Sequence, residues 1–126
     1  MNEVPYEAGA NVRENLDETA MEVREFFDQK GYVRIRIRKR DGKETKVRNL
    51  RALTNDRNFA NRVAAFLKAA GAKPLIYSIG KSYCVDIEGK ARLEAFLRKV
   101  GLEEGKRTEL EEALKPLSLS KREGMV

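Results

Sequence analysis

Histidine and tryptophan are absent from this 126-residue chain, and cysteine occurs once, as Cys84. A single thiol cannot close an internal disulfide or build a cysteine-cluster zinc site, and without imidazole the commonest general base and metal ligand are missing. Any catalysis must then use carboxylates, lysines or water. No apolar run reaches the roughly 18 residues that a membrane span requires. Residues Met1 to Tyr6 also lack a basic-then-apolar signal pattern, so the expected location is cytoplasmic, with no membrane partner. Glutamine is nearly absent as well: Gln29 stands alone beside a charged fraction of 37%. That balance fits a thermophilic source, where ion pairs are enriched and labile residues depleted.

What the chain has in excess is positive charge. Twenty-six lysines and arginines against 20 acids give a formal net charge of +6, which favours a polyanionic partner. The length accommodates one domain. The expected organisation is a flexible arm over residues 1–11, one α/β domain over 12–115 and a flexible tail over 116–126, where serine, lysine and arginine accumulate.

From Asn11 onward Val12, Leu16, Ala20, Val23 and Phe27, with Phe26 beside the last, recur three and four residues apart. This spacing predicts an amphipathic helix that stops at Gly31. Over Tyr32 to Arg40 the period changes to two, with Val33, Ile35 and Ile37 alternating with Arg34, Arg36 and Arg38. Asp41-Gly42 suits a type I′ turn, so Lys43 to Leu53 is expected to return antiparallel, with Val47 inward and Lys46 and Arg48 outward. Thr54 or Asn55 is placed to cap a second helix carrying Phe59, Val63, Phe66, Leu67 and Ala70. Leu75 to Ile79 reads as a third strand. Tyr83, Val85 and Ile87 alternate in a fourth, which leaves Ser82, Cys84 and Asp86 on the other face. A third helix with Leu93, Phe96, Leu97 and Val100 follows, then a short fourth from about Thr108 to Leu114. The predicted class is α+β, a four-stranded antiparallel sheet with helices on one face and the other face open.

The open face carries the functional signal. Between Tyr32 and Leu53 nine basic residues stand against Asp41 and Glu44, about the net charge of the whole chain. Residues two apart on a strand lie about 6–7 Å apart, close to the phosphate spacing of one nucleic-acid strand. Arginine also forks to phosphate oxygens and to guanine edges. The candidate nucleic-acid-binding residues are therefore Arg34, Arg36, Arg38, Arg40, Lys43, Lys46 and Arg48. A plainer reading makes the row a solvated edge strand, or pairs its arginines with acids such as Asp86. Like charges across a hairpin repel, however, so a row this long favours an anion. Tyr32 and Tyr77 are candidates for base stacking, Tyr83 reads as core, and Cys84 reads as an inert small residue on the sheet.

Three stretches also carry a family likeness: Val23-Arg24-Glu25-Phe26-Phe27-Asp28-Gln29-Lys30-Gly31 running straight into the arginine strand; Leu53-Thr54-Asn55; and Phe96-Leu97-Arg98-Lys99-Val100-Gly101-Leu102 with Lys106 and the last helix. Together they resemble the single-repeat LAGLIDADG homing endonucleases. The resemblance implies an αββαββα saddle whose concave face lies in the DNA major groove, with two repeats packing their first helices and each presenting an acid to Mg²⁺. Here that acid falls on Lys30, and a cation cannot ligate Mg²⁺. Asp28 matches the motif's earlier aspartate, about 200° round the helix from the missing one. The small residues of the helix contact correspond to Glu25 and Gln29, and paired glutamates are costly to bury. The expectation is a module that binds nucleic acid, double-stranded DNA in preference to RNA, with no nuclease activity and no cofactor. One alternative is a divergent homodimeric Mg²⁺-dependent endonuclease using Asp28 or another acid as its catalytic acid. Another is a protein-interaction module acting through the acidic side of the first helix, Glu18, Glu22 and Glu25. Monomer and homodimer both stay open.

Overall fold

A computed structural model describes residues 18–116. The arm expected at 1–11, residues 12–17 of the expected opening helix and residues 117–126 of the expected tail lie outside the described residues. The elements are α1 (18–30), β1 (Tyr32–Arg40), β2 (Lys43–Thr54), α2 (Arg57–Ala69), β3 (Leu75–Ile79), β4 (Ser82–Glu88), α3 (Lys90–Lys99) and α4 (Glu104–Ala113). The strands form one antiparallel sheet in the order β1-β2-β4-β3.

The two periodicities explain why the helices gather on one side. Val23 and Phe27 of α1, Val63 and Leu67 of α2, and Leu93 and Phe96 of α3 are all buried against Leu50, Ala52, Val85 and Ile87 of the central strands. Phe27 meets Phe26 at 5.2 Å and Phe96 at 5.0 Å between ring centroids, both edge-on, the arrangement the ring quadrupoles favour. Each such side chain contributes about 1.5–3 kcal/mol through area removed from water. Neither Thr54 nor Asn55, the expected caps, caps α2. Its cap is Asp56, whose Oδ1 accepts from Phe59 N at 3.0 Å, while Thr54 Oγ1 accepts from Asp56 N.

The β1–β2 turn corrects one expectation. Asp41 and Gly42 both have positive φ, +54° and +77°, as a type I′ turn requires. A two-residue turn pairs Arg40 with Lys43, and counting back along the ladder pairs Arg36 with Val47 and Arg34 with Asn49. Directly paired residues share a face. Val47 and Asn49 therefore stand on the arginine face, whereas Lys46 and Arg48 point to the helix side, opposite to the expected placement. There they meet the end of α4. Arg48 Nε donates to Ala113 O at 2.8 Å, Arg48 Nη2 to Lys115 O at 3.0 Å, and Lys46 Nζ to the same Lys115 O at 3.1 Å.

Helix C-termini leave four carbonyls without intrahelical partners and carry partial negative charge, so two cations at this point satisfy both. Arg48→Ala is expected to destabilise the protein by about 1.5–3 kcal/mol, the range for hydrogen bonds involving a charged group. Chemical denaturation measures this.

Candidate nucleic-acid interface

Strand alternation places Tyr32, Arg34, Arg36, Arg38 and Arg40 of β1 on the face away from the helices. Lys43, Thr45, Val47, Asn49 and Arg51 of β2 lie beside them, followed by Asp86 and Glu88 of β4 and Leu75, Tyr77 and Ile79 of β3. Five of the seven sequence candidates thus come together. Arg34, Arg38, Arg40 and Lys43 are exposed, and among the described residues their side chains have no hydrogen-bond or ion-pair partner. Arg36 is half-buried, with Nη2 3.6 Å from Glu88 Oε1.

The middle of this face is a polar network that strand patterning did not reveal. Asp86, 4% exposed, accepts from three neighbours: Asn49 Nδ2 at 2.8 Å on Oδ1, with Arg51 Nε at 3.1 Å and Tyr77 OH at 2.7 Å on Oδ2. Asn49 Nδ2 also reaches Glu88 Oε1 at 3.1 Å. The Arg51 guanidinium lies 5.8 Å from the Tyr77 ring centroid. A buried carboxylate demands such partners, because desolvation otherwise penalises its charge heavily.

The titration of the neighbours reflects this packing. Burial, then hydrogen bonding to Asp86, pushes the Tyr77 phenol above its ordinary range. Burial likewise raises the Cys84 thiol, despite its hydrogen bond with Tyr77. Cys84 lies on the face expected for it and is fully buried, a small residue beneath the network. Burial works against the Arg51 charge, but hydrogen bonding to Tyr32 and the carboxylate of Asp86 outweigh it, and the guanidinium pKa is raised. Asp86 is the acid singled out for arginine pairing, and it does pair with an arginine, though with Arg51 rather than a member of the β1 row. Asn49 and Arg51 were legible only through the turn: counting the ladder back from Arg40 and Lys43 would have put them on this face.

Asp28 is held elsewhere, at the junction of α1 with α4. Its Oδ1 accepts from Glu103 N at 2.7 Å, its Oδ2 lies 3.5 Å from Arg24 Nε, and its main-chain carbonyl accepts from Lys106 Nζ. Lys30, where the resemblance implies a metal-binding acid, is an exposed lysine at the end of α1. A lysine, and a carboxylate already bonded to Glu103 N and ion-paired with Arg24, do not fit Mg²⁺, which takes oxygen ligands. Among the described residues no three acids or cysteines cluster as a metal site would need, and no helix is long and apolar enough to cross a membrane. Glu25 and Gln29 are exposed on α1, beside Met21, which is 71% exposed.

No family model matches the chain, and no curated protein matches it in sequence. Solved structures do match. The homing endonuclease I-CvuI, in complex with the I-CreI target, superposes with a TM-score of 0.65 at 15% identity, over 79% of this chain and 66% of that one. The LAGLIDADG homing endonuclease I-GzeII, in complex with its DNA target, gives 0.60 at 14% identity over 75% of this chain and 33% of that one. The homing endonuclease I-TnaI gives 0.60 at 16% identity over 82% and 74%. The chain therefore spans just under two thirds of I-CvuI and a third of I-GzeII, and its α+β architecture is similar to that of LAGLIDADG homing endonucleases.

Proposed function

We propose that the chain is a cytoplasmic duplex-DNA-binding module of homing-endonuclease descent that does not cut DNA. The observation that carries this reading is the row of Arg34, Arg38, Arg40 and Lys43, four exposed cations on one sheet face without acidic partners among the described residues. Four unpaired like charges on one hairpin destabilise it, and a polyanion removes that repulsion. Arg36 belongs to the same surface; Lys46 and Arg48, bonded to the end of α4, do not. Fold neighbours solved on DNA targets support a duplex ligand. A sheet face can enter the wide major groove of B-form DNA, whereas the major groove of A-form RNA is too deep and narrow for side chains to read. The lack of cutting rests on Lys30 and on the engagement of Asp28 with Glu103 and Arg24.

Fluorescence anisotropy with labelled duplex DNA and hairpin RNA over a range of salt concentrations tests the proposal. Expected is duplex binding whose log affinity falls linearly with log salt, with a slope of about −4 for four to five phosphate contacts at −0.9 each. Intact DNA after incubation with Mg²⁺ is the companion result. Cleavage that is lost in Asp28→Asn would overturn the non-nuclease part, and salt-independent binding would overturn the electrostatic part.

A further inference from the structure

A face that met only phosphate would have no use for an accessible carboxylate, since like charges a few ångströms apart repel even in water. Yet Glu88 stands on this one, at the end of β4 beside Asn49, with its side chain 39% exposed. Its contacts are lopsided. Asn49 Nδ2 and Arg36 Nη2 both approach Oε1, at 3.1 and 3.6 Å, and Oε2 has no partner among the described residues. The 3.6 Å contact is an ion pair too long to be a hydrogen bond, so Arg36 is held beside Glu88 without a bidentate pair. Arg36 Nε and Asn49 Oδ1 are moreover buried with no hydrogen-bond partner among the described residues. Buried polar atoms are nearly always satisfied, so this cluster is incomplete as it stands.

We infer that Arg36 and Glu88 together read one G·C base pair in the major groove, Arg36 donating to guanine and Glu88 Oε2 accepting from cytosine. The chemistry is a match of patterns. Across its major-groove edge a G·C pair presents two acceptors, guanine N7 and O6, then one donor, the cytosine N4 amine. An arginine fork beside a carboxylate presents two donors, then one acceptor. Asp86 cannot take this part, because its oxygens are occupied by Asn49, Arg51 and Tyr77. Arg34, Arg38 and Arg40 flank the pair as positioning contacts to phosphate, and Asn49 fixes the Glu88 carboxylate through Oε1. This assignment rests on the duplex-binding reading above and adds the base that the face selects.

Enrichment from a pool of random-sequence duplexes, followed by anisotropy on the selected duplex, tests it. Wild type should retain G·C at one position, and changing that pair to A·T should weaken binding roughly five- to hundredfold, the range for one bidentate contact. Glu88→Gln should move the preference at that position toward A·T, because glutamine pairs with adenine N6 and N7, and Glu88→Ala should erase it. The salt slope should stay unchanged in both variants, and thermal melts establish that they fold. If Glu88→Gln and Glu88→Ala instead tighten binding equally on every sequence, Glu88 is only a counter-ion for Arg36 and the inference falls. It also falls, with duplex binding left standing, if salt-dependent binding shows no discriminated position or wild type selects adenine there. Absence of salt-dependent binding to any duplex overturns this inference and the function it rests on.

Discussion

Replacing Arg34, Arg36 and Arg38 together by alanine is expected to weaken duplex binding about a hundredfold near physiological salt. Arg34 and Arg38 are the phosphate contacts among the three, so the same change should flatten the salt slope by about two. Each phosphate contact releases counterions equivalent to about 0.9 in the slope, which at 0.15 M corresponds to roughly fivefold in affinity. The two phosphate contacts of Arg34 and Arg38 multiply to about 25-fold, and losing the Arg36 contact to guanine, worth at least about fivefold, brings the total to on the order of 10². At lower salt the loss should grow, because the counterion term grows as salt is diluted. Anisotropy titrations of wild type and variant at four or more salt concentrations give both numbers at once. A variant that loses affinity while keeping the full slope would mean that the arginines act through packing instead of charge. Folding is not the obstacle, because Arg34 and Arg38 have no side-chain partner among the described residues and Arg36 has only the loose contact with Glu88.

The second large effect is on stability. Asp86→Ala is expected to cost about 3–5 kcal/mol, the range for removing one partner of a buried ion pair and leaving the other uncompensated. Arg51, whose side chain is 17% exposed, would lose its carboxylate, and the Tyr77 hydroxyl would lose its acceptor. For a domain of about 100 residues this lowers Tm by roughly 12 °C or more. Asp86→Asn preserves the shape and one acceptor oxygen and should cost distinctly less. Thermal and urea denaturation of the two variants measure the difference. A cost below about 1 kcal/mol for the alanine variant would mean that water substitutes for the carboxylate, and the network would then not be what orders the centre of the face.

The two results address different parts of one surface. Arg34, Arg38 and Arg40 of β1 stand exposed, at an edge strand, where charge is cheap to keep in water. Asp86, Asn49 and Arg51 lie on the two central strands, where neighbours on both sides exclude solvent and every polar atom needs a partner. Strand patterning detects the first kind of residue because alternation of isoleucine and arginine is itself the signal. It does not detect the second kind, since asparagine and aspartate among valines and leucines read as ordinary outward-facing polar residues. Their burial depends on which strand lies next to which.

The error over Lys46 and Arg48 has a similar origin. On a strand whose inward side carries Lys46, Arg48 and Leu50 while the outward side carries Val47, Asn49 and Arg51, hydropathy points the wrong way near the turn. The end of α4 meets the hairpin there and presents carbonyls instead of apolar surface. Cations suit that position better than a valine would. Asp28, a catalytic acid only under the endonuclease alternative, joins α1 to the start of α4, a role that no local pattern signals.

The sequence by itself determined the element order, the Asp41-Gly42 turn and the arginine face of β1, because these depend on local periodicity and on backbone conformations that few residues adopt. It also determined that the position implied for a metal-binding acid holds a lysine. Only the tertiary structure decided which face Lys46 and Arg48 occupy, that Asp86 gathers Asn49, Arg51 and Tyr77, and that Glu88 keeps one oxygen open beside Arg36. Those outcomes depend on strand order and on helix ends that lie far apart along the chain, where burial, and not residue type, sets what each polar group must bind.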